Sequence, residues 1–86
     1  MYQFCQVKDI NYDQVRQLAC SDERILETHS RVPGHDGKLG FGGTCFPKDL
    51  NSLIVQMESH NLNADMFKEI WKYNQEIRTV IDWPVV

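Results

Sequence analysis

The chain has 86 residues, a net charge of -3 and no cluster of Lys or Arg, which argues against a nucleic-acid surface and for a single domain with a small core. No apolar run approaches the roughly 20 residues of a membrane-spanning helix, and Met1-Tyr2-Gln3-Phe4-Cys5 lacks the charged-then-apolar order of a signal peptide. Cys5, Cys20 and Cys45 are odd in number and not paired by spacing, so a reduced, cytoplasmic setting is expected, with neither membrane nor nucleic acid as partner.

In chain order, Phe4, Val7 and Ile10 are spaced as the end of a helix. Asn11 stands as an N-cap with Gln14 in capping-box position, which predicts a short helix bearing Val15, Leu18 and Ala19. Ser21 or Asp22 is placed to cap another short helix that carries Ile25 and Leu26. All five glycines then fall between Gly34 and Gly43. Pro47 suits the first turn of a helix, in which Leu50, Leu53, Ile54 and Met57 form an apolar stripe. Asn61 to Asn63 break that helix. Asn63 is the expected cap of a last one, with Met66, Phe67, Ile70, Trp71, Ile77 and Ile81 on its apolar face and Pro84 as its stop. No stretch alternates with period two for long, so the expected fold is all-α, about four helices with the glycine-rich loop before the third.

The loop and Pro47 together place Cys45 at or just before a helix N-terminus. If the turn extends back to it, Lys48 and Asp49 share its face. A thiol reacts as the thiolate, which helix N–H groups and a nearby cation favour. The helix dipole alone contributes about 0.3–1 kcal/mol, under one pKa unit, so Lys48 or direct N–H bonds must supply the rest. Asp49 opposes the thiolate and is better suited to hold a water or receive a proton. Most free cysteines are small buried apolar residues, and that is the reading for Cys5 and Cys20. A loop-to-helix junction is usually exposed, which favours chemistry at Cys45.

Smaller signals are weaker. Gly37-Lys38 makes no phosphate loop, because Leu39 stands where Ser or Thr is required. His29, His35 and Asp36 lack metal-ligand spacing, so no metal is expected. His60 is placed to meet terminal helix carbonyls. Trp71, Trp83 and Phe67 read as core or as a surface that a partner covers. Asn74 falls on the apolar stripe and needs a hydrogen-bond partner. Lys68, Glu69, Lys72 and Glu76 read as a solvated face.

Gly40-Phe41-Gly42-Gly43-Thr44-Cys45-Phe46-Pro47-Lys48-Asp49 resembles the active-site segment of the nucleotide-sugar dehydrogenases, the UDP-glucose/GDP-mannose dehydrogenase family. Asp22-Glu23-Arg24-Ile25 is similar to an Asp-x-Arg-Ile element that precedes this loop in the family, and Tyr73-Asn74-Gln75 to a helix with an Asn that follows it. The likeness covers most of the chain but only the central helical part of the family's full-length proteins. No Gly-x-Gly-x-x-Gly follows a strand, so the dinucleotide fingerprint is absent from these residues.

The resemblance implies an NAD-dependent oxidation, in two hydride transfers, of the C6 alcohol of UDP-glucose or a related nucleotide sugar to a carboxylate, through a cysteine thiohemiacetal and a thioester. Carried over by position, it implies Cys45 as nucleophile and Asp49 as helper of the hydrolytic water. Cys45 and Lys48 lie beside the cofactor. Asp36, Gly37, Lys38, Leu39, Gly40, Phe41, Gly42 and Gly43 wrap the sugar nucleotide, and Arg24 reaches substrate from a neighbouring subunit. It also implies a homodimer formed through this region, and no activity until a Rossmann domain and a UDP-binding domain are supplied. The contrasting expectation is a non-catalytic helical dimerisation module.

Overall fold

Two compact units divide the computed structural model, one over Met1–Gly37 and one from Lys38 onward, and residues 1–83 are described. The helices are α1 (Tyr2–Val7), α2 (Tyr12–Ala19), α3 (Phe46–Ser59) and α4 (Asp65–Ile77). Among the described residues there is no strand. The expected all-α fold is therefore present, with the glycine-rich loop before the third helix.

In the first unit α1 packs on α2, with an edge-on Tyr2–Tyr12 contact whose centroids are 5.5 Å apart, and Cys5 of α1 is 2% exposed. Asn11 caps α2 as its sequence position predicts, its side chain accepting the Gln14 N–H at 3.2 Å. Ile10 lies beyond α1. The helix closes at Val7 in a Schellman motif, with Asp9 left-handed (φ 56°) and the Ile10 N–H donating to the Cys5 carbonyl at 2.8 Å.

The short helix expected after Ser21 or Asp22 does not form. Asp22 Oδ1 accepts the Arg24 backbone N–H at 2.9 Å, a local turn that competes with helical bonding. The Ser21 hydroxyl donates back to the Leu18 carbonyl at 2.6 Å instead of capping forward. Ile25 and Leu26 are left exposed. Arg16 is buried between Asp13 and Glu27, at 3.5 and 3.7 Å.

In the second unit α3 packs on α4 around Leu50, Ile54 and Ala64, with Phe41, Met57, Phe67 and Trp71 against them. Of the α3 stripe Leu50 and Ile54 are buried and Met57 half-buried, while Leu53 is exposed. Asn61 takes the left-handed conformation (φ 58°) and closes α3 in a second Schellman motif, the Leu62 N–H donating to the Met57 carbonyl at 2.9 Å. The His60 ring meets the Gln56 carbonyl at 2.9 Å, the carbonyl contact its position predicts.

Asn63 accepts the Asp65 N–H at 2.8 Å, although the residue at the N-cap itself is Ala64. The solvated face is modified at Lys68, whose ammonium reaches Glu58 on α3 at 3.0 Å. On α4 Phe67, Trp71 and Ile77 turn inward, while Met66 and Ile70 are exposed. The helix ends at Ile77, not near Ile81, because Arg78 turns to extended backbone (φ -88°, ψ 121°) and buries its side chain. Pro84, the expected stop, lies outside the described residues. No described helix is long and apolar enough to cross a membrane.

Candidate active site

The glycine loop runs into α3 over Lys38 to Cys45, and α4 with the segment after it holds that loop by its backbone. Asn74, 2% exposed on the inner face of α4, receives the Phe41 N–H at 2.7 Å and donates to the Phe41 carbonyl at 2.9 Å. Its carboxamide thus acts as a short piece of backbone, which meets the requirement set by its place on an apolar stripe. The Phe41 ring packs between Phe46 and Trp71, with centroids 4.9 and 6.1 Å away, so the loop is stitched to the core by its side chain too. Trp83 stacks edge-on to Trp71 at 5.0 Å.

One turn beyond Asn74, the Arg78 side chain is wholly buried. Its guanidinium donates to the Val80 carbonyl at 3.1 Å, to the Leu39 carbonyl at 3.3 Å and to Asp82 at 3.0 Å. The other Asp82 oxygen accepts the Gly43 N–H at 2.8 Å. That N–H first, and the Arg78 charge after it, hold the Asp82 carboxyl below the usual carboxylate range. Arg78 and Asp82 escaped the sequence reading. No periodic signal marks them, because α4 ends at Ile77 and their loop partners Leu39 and Gly43 each lie 39 residues away in sequence.

Downstream of the clamp, Cys45 is exposed and forms the N-cap of α3, with Pro47 in the first turn, as the sequence predicts. The Asp49 N–H closes the first helical bond on the Cys45 carbonyl at 2.8 Å. Thr44 Oγ1 lies 3.9 Å from the sulfur. Lys48 Nζ is 3.5 Å from the Asp49 carboxylate, both side chains exposed. This pairing offsets part of the repulsion Asp49 would exert on a thiolate, weakly, as exposed pairs do.

Leu39, Gly40, Gly42 and Gly43 share the clamp, while Lys38 opens the second unit. Arg24, Asp36 and Gly37 belong to the first unit. There Arg24, 85% exposed, grips Asp22 through two side-chain contacts at 2.7 and 3.0 Å, which lowers the Asp22 carboxyl and raises the guanidinium. Cys5 is buried and Cys20 half-buried, its thiol 3.7 Å from the Leu26 carbonyl.

An all-helical fold with a glycine-rich loop before its third helix fits the central domain of a nucleotide-sugar dehydrogenase. Residues 1–76 match the model of the UDP-glucose/GDP-mannose dehydrogenase family, central domain, and the chain belongs to that family. It is 32% identical over 66 residues to a UDP-glucose 6-dehydrogenase of Pseudomonas aeruginosa, covering 77% of this chain and 14% of that protein. It is 30% identical over 74 residues to the UDP-glucose 6-dehydrogenase of Rickettsia felis, covering 72% and 16%. The chain therefore spans only a small part of the length of these curated relatives. No solved structure matches it.

Proposed function

We propose that this chain carries the reacting thiol of an NAD-dependent dehydrogenase that oxidises UDP-glucose at C6 to the carboxylate, and that it is inactive until joined to the flanking domains. The observation that carries the reading is the exposure of Cys45 at the N-cap of α3, directly after the clamped loop. In this reading the sulfur adds to the C6 aldehyde, forming a C–S bond while the carbonyl oxygen takes up a proton. At the thioester stage water attacks the same carbon, the C–S bond breaks and the thiol is restored. Asp49, on the first turn of α3, is placed to hold that water, and Lys48 moderates its charge.

NAD supplies the hydride acceptor for both oxidations. The described residues give it no cradle, because they contain no strand leading into a glycine turn and helix. Lys48 and Cys45 would border it from this side only. The loop over Asp36 to Gly43 faces the sugar nucleotide in this reading, and Arg24 reaches the site of a second subunit. In this reading the protein works in a reduced, cytoplasmic setting, which an odd number of cysteines without paired spacing suits.

The test joins the chain to the flanking domains of a UDP-glucose 6-dehydrogenase and follows NAD reduction with UDP-glucose. Turnover is expected, and Cys45→Ala is expected to abolish it with the helical signal intact. Turnover that survives the substitution overturns the reading.

A second reading, a dimerisation module, is favoured by Met66, Ile70 and Tyr73. They recur at i, i+4 and i+7 on α4 and remain 66, 43 and 48% exposed. A concentration series in analytical ultracentrifugation is expected to show a dimer. A monomer at the highest concentration removes this reading and, with it, the role for Arg24 across subunits.

A further inference from the structure

We propose that Arg78 and Asp82 are positioning residues, which hold the backbone of Leu39 to Gly43 in the one arrangement that presents the Cys45 sulfur for reaction. The inference rests on the reading of Cys45 as the reacting thiol. Dehydrating a guanidinium is costly, and a well-packed apolar group of similar size often does as well for stability. Here the buried guanidinium of Arg78 is aimed at the loop and its support: the Leu39 carbonyl, the Val80 carbonyl and Asp82.

Asp82 passes the contact on to the Gly43 N–H, two residues before Cys45. Gly42 is an independent sign of the same fit. A Cβ at Gly42 would run into Arg78 Nη2 and Asp82 Oδ1. Glycine is needed there because the pair approaches the backbone closely. Neither Arg78 nor Asp82 lies within the residues matched by the family model. A misplacement of about 1 Å at a reacting centre is enough to cost about a hundredfold in rate, and the Asp82–Gly43 bond ties the loop two residues before Cys45.

The experiment has two arms, one on the 86-residue chain and one on the chain joined to flanking dehydrogenase domains. In the chain alone, Asp82→Ala is expected to speed amide exchange at Gly43 by about tenfold or more while Leu50 and Ile54 exchange as before. In the joined enzyme, with UDP-glucose and NAD, kcat is expected to fall about 10- to 100-fold with KM within about threefold, since a purely structural support would not split the two parameters. Asp82→Asn, which keeps an acceptor for Gly43, is expected to recover part of kcat.

Unchanged kcat in Asp82→Ala, or unchanged exchange at Gly43, overturns the proposal. So does faster exchange at Leu50 and Ile54 in both variants, which would make Asp82 a general support of the fold. A joined wild-type enzyme without Cys45-dependent turnover overturns the dehydrogenase reading itself, and the positioning role with it. Retained kcat in Asp82→Ala, by contrast, removes the positioning role alone.

Discussion

Asn74 and Phe41 are joined by two hydrogen bonds, the Phe41 N–H reaching the Asn74 carboxamide at 2.7 Å and the Asn74 amide reaching the Phe41 carbonyl at 2.9 Å. The pairing crosses 33 residues of sequence and attaches the glycine loop to α4. Asn74→Ala leaves both backbone groups of Phe41 without their partner in a half-buried place. Such losses cost about 1–3 kcal/mol. A chain of this size has a total stability on the order of 5–10 kcal/mol, so the urea midpoint is expected to drop clearly. Asn74→Asp, which keeps an acceptor but loses the donor, is expected to fall in the same direction.

Gly40 and Gly43 both have positive φ, 70° and 88°, yet alanine is expected to act differently at the two. Around Gly43 an added Cβ meets nothing within 4 Å, so Gly43→Ala carries only the left-handed backbone cost of roughly 1–2 kcal/mol. At Gly40 the Cβ collides with the Asn74 carboxamide oxygen, so the same backbone cost comes with loss of the Phe41 pairing. Gly40→Ala is expected to exceed Gly43→Ala by about 1–3 kcal/mol. Denaturation followed by the fluorescence of Trp71 and Trp83, both in this unit, measures the difference.

The parts of this architecture that were legible in the sequence are those written in local chemistry. Asn11 caps α2, Pro47 lies in the first turn of α3, and the Leu50–Ile54 spacing sets the buried stripe, each through contacts within a turn or two. The failures have local causes of another kind. At Asp22 the same side chain that could cap a helix bonds two residues ahead, and propensity does not say which bond wins. The end of α4 was misplaced because Ile81 continues the apolar period, while Arg78 leaves the helix for contacts with Leu39 and Asp82. A buried arginine whose partner lies 39 residues away leaves no mark in a periodicity.

The three thiols differ in accessibility, which predicts an order of alkylation in the folded chain. Cys45 is exposed, Cys20 is half-buried with its thiol against the Leu26 carbonyl, and Cys5 on α1 is 2% exposed. Iodoacetamide followed by peptide mass spectrometry is expected to label Cys45 first, Cys20 next and Cys5 only at the rate of local opening. Cys5 labelled as fast as Cys45 would contradict its burial.

Acid is expected to weaken the tie between Asp82 and Gly43. The Asp82 carboxylate is favoured in the fold by the Gly43 N–H and then by Arg78, so its folded pKa lies below the unfolded value of about 3.9. A group lowered in this way contributes stability that is fully present above the unfolded value and is lost as pH falls through the folded one. Asp22, lowered by Arg24, acts with the same sign in the first unit, so a global acid midpoint does not separate them. The Gly43 amide does, because its hydrogen bond ends on Asp82. Its NMR shift is expected to hold steady above pH 5 and to move at a pH below that of an ordinary aspartate. In Asp82→Asn that titration should vanish while Asp22 still titrates. A Gly43 amide that ignores pH in the parent chain would mean that Asp82 does not bear on the loop.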